Sequence, residues 1–124
     1  MTTVLFICIQ NSCRSQMAEA IFSRLAPQAM RATSAGSRPA REIDPLGIKT
    51  DSLSPKLLTR EIAQRVDRIV TMGCPEACPA VGKPTEDWRI EDPSGGDIED
   101  YRKARDVITQ RVKSLLQTLV MESK

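Results

Sequence analysis

The chain is predicted to adopt an α/β fold, a doubly wound parallel sheet covered by helices. Two observations predict it. Short runs are apolar on both faces, as in strands buried within a parallel sheet, and stripes at helical spacing alternate with them. There is no internal repeat, linker or low-complexity tract to divide the chain. The first strand covers residues 3 to 7, with Val4, Leu5, Phe6 and Ile7 in succession. A polar turn at Gln10, Asn11 and Ser12 follows, then Met17, Ala18, Ile21, Phe22 and Leu25 mark a helix that Pro27 ends. A weaker strand over residues 31 to 35 stops at Gly36, and the proline-rich stretch from Ser37 to Pro55 reads mostly as loop. Leu57, Leu58, Ile62, Ala63 and Val66 form a second helical stripe, and Arg68 to Met72 is the next buried strand. Residues 73 to 97 are rich in Gly and Pro, a long loop with one short strand around Trp88 to Ile90. Loops this long in small domains usually carry function or lack order. Asp97 is placed to cap a last helix whose apolar face is Ile98, Tyr101, Ile108, Val112, Leu115, Leu116 and Leu119.

The 124 residues suit one domain spanning 1–124, long enough to bury about two-thirds of the unfolded chain's surface without disulfide staples. No apolar run reaches the length of a membrane span, and Met1 leads directly into the first strand without a basic leader, so a cytosolic location is expected. The chain has no histidine. That excludes Ser-His-Asp triads, Cys-His dyads and HExxH zinc sites, and leaves carboxylate, thiol, Lys, Tyr or water to move protons. Residues 1 to 60 hold eight Lys and Arg against four Asp and Glu; residues 61 to 124 hold ten against twelve. The basic front half suits a small anion and is too weak for nucleic acid, and the four aromatic residues are too few to stack bases. Four cysteines in a cytosolic chain point to redox or metal chemistry rather than structural disulfides.

The sharpest chemical signal runs from Cys8 to Ser15, between a strand and a helix: Cys8, Ile9, Gln10, Asn11, Ser12, Cys13, Arg14, Ser15. Five residues separate Cys8 from Arg14, enough for a loop whose backbone N–H groups wrap a tetrahedral oxyanion at a helix N-terminus. Arg14 can fork two donors onto two anion oxygens. The positive field favours the thiolate, the nucleophilic form of a cysteine, and Ser15 can donate a hydroxyl hydrogen bond to it. The ordinary alternative makes Cys8 a small buried residue and Arg14 a surface charge at a helix start. The strand–loop–helix context shifts the balance toward an anion site.

The segment from Cys8 to Ala20 resembles the signature loop of the low-molecular-weight tyrosine phosphatase fold, and within it the thioredoxin-coupled arsenate reductases. Ser34 to Gly36, Pro55 to Thr59, Val70 to Cys74 and Glu86 to Gly95 resemble the same family, so the likeness covers nearly the whole chain. The family usually carries glycine where this chain has Gln10, and the stretch between Ser37 and Pro55 is short by most of a helix. The resemblance implies a three-layer α/β sandwich with a four-stranded parallel sheet. It implies arsenate bound in the loop from Ile9 to Arg14, with Cys8 as nucleophile and Asp92 as the acid that protonates the departing oxygen. By itself Asp92 is also good turn chemistry, since Asp92, Pro93, Ser94 and Gly95 suit a tight turn. The acids around it, Glu86, Asp87, Glu91, Asp97, Glu99 and Asp100, either favour its protonated form by like-charge repulsion or form a solvated face.

Cys74 and Cys78 decide between subfamilies. Reduction of arsenate to arsenite takes two electrons, which a pair of thiols supplies on forming a disulfide. Cys74 follows the third strand, at the sheet rim that Cys8 also reaches, and Cys78 lies in the Pro- and Gly-rich loop beyond. The resemblance implies a relay from Cys8 to Cys74 to Cys78, with thioredoxin as reductant and neither organic cofactor nor catalytic metal. The Cys-x3-Cys spacing also resembles another branch of the reductases, which leaves the electron donor open. Three rivals stand beside this. A phosphomonoesterase needs only Cys8, Arg14 and an acid, but such enzymes often carry an aromatic residue where Ser94 and Gly95 stand here. A zinc site of Cys8, Cys13, Cys74 and Cys78 has unusual spacings, and an oxyanion sensor would bind without turnover.

Overall fold

The computed structural model describes residues 2–8, 14–36, 57–73, 81–91, 93 and 96–122. Along the chain come β1 (Thr2–Cys8), α1 (Arg14–Leu25), β2 (Met30–Gly36), α2 (Arg60–Arg65), β3 (Arg68–Thr71), β4 (Thr85–Asp87) and α3 (Ile98–Glu122). The four strands form one sheet in the order β2-β1-β3-β4, and every pairing is parallel. Because β1 is the central partner of both β2 and β3, successive side chains are buried on opposite faces. Val4, Phe6 and Cys8 join one core with α1 and α3; Leu5 and Ile7 join a second with Ala63 and Val66 at α2. The molecule is thus three-layered, with α1 and α3 on one face of the sheet and α2 on the other.

Helix α1 forms where Met17, Ala18, Ile21 and Phe22 share one buried face, and its first turn buries Ser15 and Gln16 as well. Phe22 meets Phe6 edge-on, with ring centroids 5.9 Å apart, and the Trp88 ring is tilted against Phe6 with centroids 5.5 Å apart. Thr59 caps α2 by accepting from the Ile62 N–H at 3.1 Å. Helix α3 opens with a reciprocal box: the Asp100 N–H donates to Asp97 Oδ1 at 3.1 Å, and the Asp97 N–H to Asp100 Oδ2 at 3.2 Å. No helix among the described residues is long and apolar enough to cross a membrane.

Three local expectations need correction. The short fourth strand is Thr85–Asp87, not Trp88 to Ile90. The Trp88 N–H still donates to the Thr71 carbonyl at 2.7 Å, but the Ile90 N–H turns back onto the Trp88 carbonyl and the extended run ends. Leu57 and Leu58 precede the α2 cap; Leu57 is exposed and bridges Gly36 at the end of β2. Ile98 is exposed at the start of α3, where Ala104 joins the buried stripe instead. The loop predicted from Ser37 to Pro55 lies outside the described residues.

Candidate active site

In a parallel sheet all strands end at one rim, so Cys8, Gly36, Thr71 and Asp87 close their strands on the same side. The chain runs from β1 outward to β2 and then returns to place β3 on the other flank, and the crevice outside the β1 and β3 ends lies at that reversal. Cys8 stands there. It is 3% exposed, and its Sγ lies 2.8 Å from Ser15 Oγ in the first turn of α1. The thiol therefore sits against a helix N-terminus, whose partial positive charge suits a bound oxyanion.

Arg14, the first residue of α1, reaches across the crevice. Its Nη1 donates to the Met72 carbonyl at 2.6 Å and to the Ile90 carbonyl at 2.8 Å. Nη1 has two N–H bonds, so these two carbonyls use both. The two carbonyls belong to the segments that run on, in sequence, to Cys74 and to Asp92. Arg14 is thereby held by both segments at once.

The turn after β3 is built for this contact. Gly73 has φ +86°, a conformation that suits glycine, and its amide donates to Asp87 Oδ1 at 2.7 Å. Thr71 Oγ1 donates to the same carboxylate oxygen at 2.6 Å. On the Asp92 side, Ile90 and Pro93 are buried while Glu91 is exposed, and the Gly96 N–H donates to the Pro93 carbonyl at 2.9 Å.

The structure thus brings Cys8, Arg14 and Ser15 together. Ile9, Gln10, Asn11, Ser12, Cys13, Cys74, Cys78 and Asp92 lie outside the described residues. Sequence reasoning missed Asp87, which it counted only among the acids near Asp92, and it missed the backbone carbonyls of Met72 and Ile90. No local pattern marks a carbonyl as an acceptor for an arginine 58 residues away.

Residues 3–124 match the model of the low molecular weight phosphotyrosine protein phosphatases, and the chain belongs to that family. Among its relatives, an arsenate reductase of Brevibacillus brevis is 32% identical over 130 residues, covering 94% of this chain and 95% of that one. A glutaredoxin arsenate reductase of Synechocystis is 30% identical over 127 residues, covering 94% of this chain and 97% of that one. A solved structure, the thioredoxin-dependent arsenate reductase of Corynebacterium glutamicum, superposes with a TM-score of 0.84 at 33% identity. That likeness covers 98% of this chain but 63% of the Corynebacterium chain.

Proposed function

We propose that this chain reduces arsenate to arsenite through three thiols, Cys8, Cys74 and Cys78. The observation that carries the proposal is the Cys8–Ser15 contact at the N-terminus of α1, with Arg14 anchored beside it. Relatives that are arsenate reductases, about as long as this chain, support arsenic as the reacting atom.

Arsenate is held by the loop from Ile9 to Cys13 and by Arg14. The Cys8 thiolate attacks arsenic(V), and one arsenate hydroxyl leaves as water with the proton given by Asp92. The Cys74 thiolate then attacks the Cys8 sulfur. The electron pair of the sulfur–arsenic bond stays with arsenic, which departs as arsenite, and a Cys8–Cys74 disulfide remains. The Cys78 thiolate attacks Cys74 and expels the Cys8 thiolate, leaving a Cys74–Cys78 disulfide for an external dithiol. Thioredoxin is the proposed reductant; the Synechocystis relative makes glutaredoxin the one to test beside it. Each of these steps runs on side chains, without an organic cofactor or catalytic metal.

Phosphomonoester hydrolysis is the second reading, favoured by the family and by the sufficiency of Cys8, Arg14 and Asp92 for it. One assay separates the two: arsenite formation with thioredoxin, thioredoxin reductase and NADPH, in parallel with glutaredoxin and glutathione, and beside hydrolysis of an aryl phosphate. Arsenite formed at many turnovers per chain with one of the donors is the expected result. Fast aryl phosphate hydrolysis with no arsenite from either donor would replace the reductase reading by the phosphatase one.

A further inference from the structure

The peptide group between Met72 and Gly73 is gripped at both ends. Its carbonyl accepts from Arg14 Nη1 at 2.6 Å, and its N–H donates to Asp87 Oδ1 at 2.7 Å. A trans peptide points these two groups in opposite directions, so Arg14 and Asp87 stand on opposite sides of one planar unit. The signs of charge match the amide dipole: the carboxylate faces its N–H and the guanidinium faces its carbonyl. Each hydrogen bond therefore polarises the amide in the sense that strengthens the other.

The orientation of this peptide is not guaranteed by its own backbone. Turning it over changes the φ of Gly73, and glycine accepts either sign of φ at little cost. At the observed φ of +86° the carbonyl faces Arg14. The Asp87 side chain is 21% exposed and comes from the last residue of β4, where the ladder with Thr71 fixes its position. Beyond Gly73 and Thr71, the carboxylate also has Arg89 at 3.7 Å, 93% exposed, a contact that water screens.

We propose that Asp87 is a positioning residue of the oxyanion site: by holding the Met72–Gly73 peptide it fixes the Arg14 guanidinium in the orientation that receives the anion. This rests on the oxyanion reading of the loop above and names a residue outside that loop and outside the thiol relay. It does not depend on the chemistry being reduction.

Inorganic phosphate is the probe, titrated calorimetrically into the wild-type chain and three variants whose thermal melts are recorded in parallel. Asp87→Ala, which removes both bonds, is expected to weaken phosphate by about tenfold. Asp87→Asn, which keeps an oxygen acceptor at the same place, is expected to bring the loss back to about threefold. Thr71→Val removes the other hydrogen bond to Asp87 but leaves the Gly73 bond, so phosphate affinity is expected within about twofold of wild type. A merely structural tie between β3 and β4 would instead make Thr71→Val and Asp87→Ala weaken phosphate alike, and that result would overturn the proposal. Wild-type affinity in a folded Asp87→Ala chain would overturn it too; if that variant does not fold, unchanged affinity in Asp87→Asn does the same. No phosphate binding by the wild-type chain would remove the oxyanion reading itself, and the proposal with it.

Discussion

Cys8 is the last residue of a strand whose side chains are buried on both faces, and the next described residue, Arg14, already opens a helix. That local order puts a buried sulfur, a hydroxyl at 2.8 Å and a helix N-terminus in one place. A serine hydroxyl is far less ionised than a thiol at neutral pH, so Cys8→Ser should lower both arsenate reduction and aryl phosphate hydrolysis by at least about a hundredfold. The substitution is nearly isosteric, and an unchanged thermal melt would show that the loss is chemical. Arg14→Lys should cost about as much, because an ammonium cannot hold the Met72 and Ile90 carbonyls while forking onto an anion. Near-normal turnover in either variant would take the loop out of the chemistry. These residues were legible in the sequence because they are close neighbours along it. Asp87 was not, because its role depends on β4 lying beside β3, and nothing in the spacing of Thr71, Gly73 and Asp87 announces a shared hydrogen bond.

Among the elements, those with two-faced or striped apolar patterns were legible and the polar ones were not. β1, β3, the body of α3 and α1 as far as Phe22 follow the burial their patterns demand, whereas Leu25, the last residue of the α1 stripe, is exposed. The fourth strand was misplaced because Thr85, Glu86 and Asp87 form a polar edge, and edges carry charge and shed the apolar alternation that marks an inner strand. Trp88 and Ile90 have that alternation, yet they point their bulk into the core from a segment that is turning away. The start of α2 was read too early because helical spacing of Leu57 and Leu58 continues past the Thr59 cap. The cap of α3, by contrast, was visible in Asp97. Asp97→Ala removes the side-chain half of the reciprocal box and should cost about 1 kcal/mol, lowering the melting temperature by about 4 °C. A melt equal to wild type would mean that the box contributes nothing to holding the helix end.

At the scale of the whole molecule, the parallel sheet gathers what the chain keeps apart. Strands β1, β3 and β4 all end at one rim, and the segments running on to Cys74 and to Asp92 both leave from it, tied to Arg14 through the Met72 and Ile90 carbonyls. The three-thiol relay proposed here needs that convergence, because Cys74 must reach the Cys8 sulfur and then pass the disulfide to Cys78. The absence of histidine fits a chemistry in which thiols and a carboxylic acid perform every transfer. The relay predicts a division of labour: Cys74→Ser should keep any aryl phosphate hydrolysis and stop arsenate reduction, while Cys78→Ser should complete about one turnover and halt. The most direct measurement is mass spectrometry of the arsenate-treated Cys78→Ser chain, digested without reduction. The three-thiol relay requires a disulfide joining the peptides that contain Cys8 and Cys74, with one arsenite released per chain; sustained wild-type turnover in that variant, or a bridge that leaves Cys74 free, would contradict the relay.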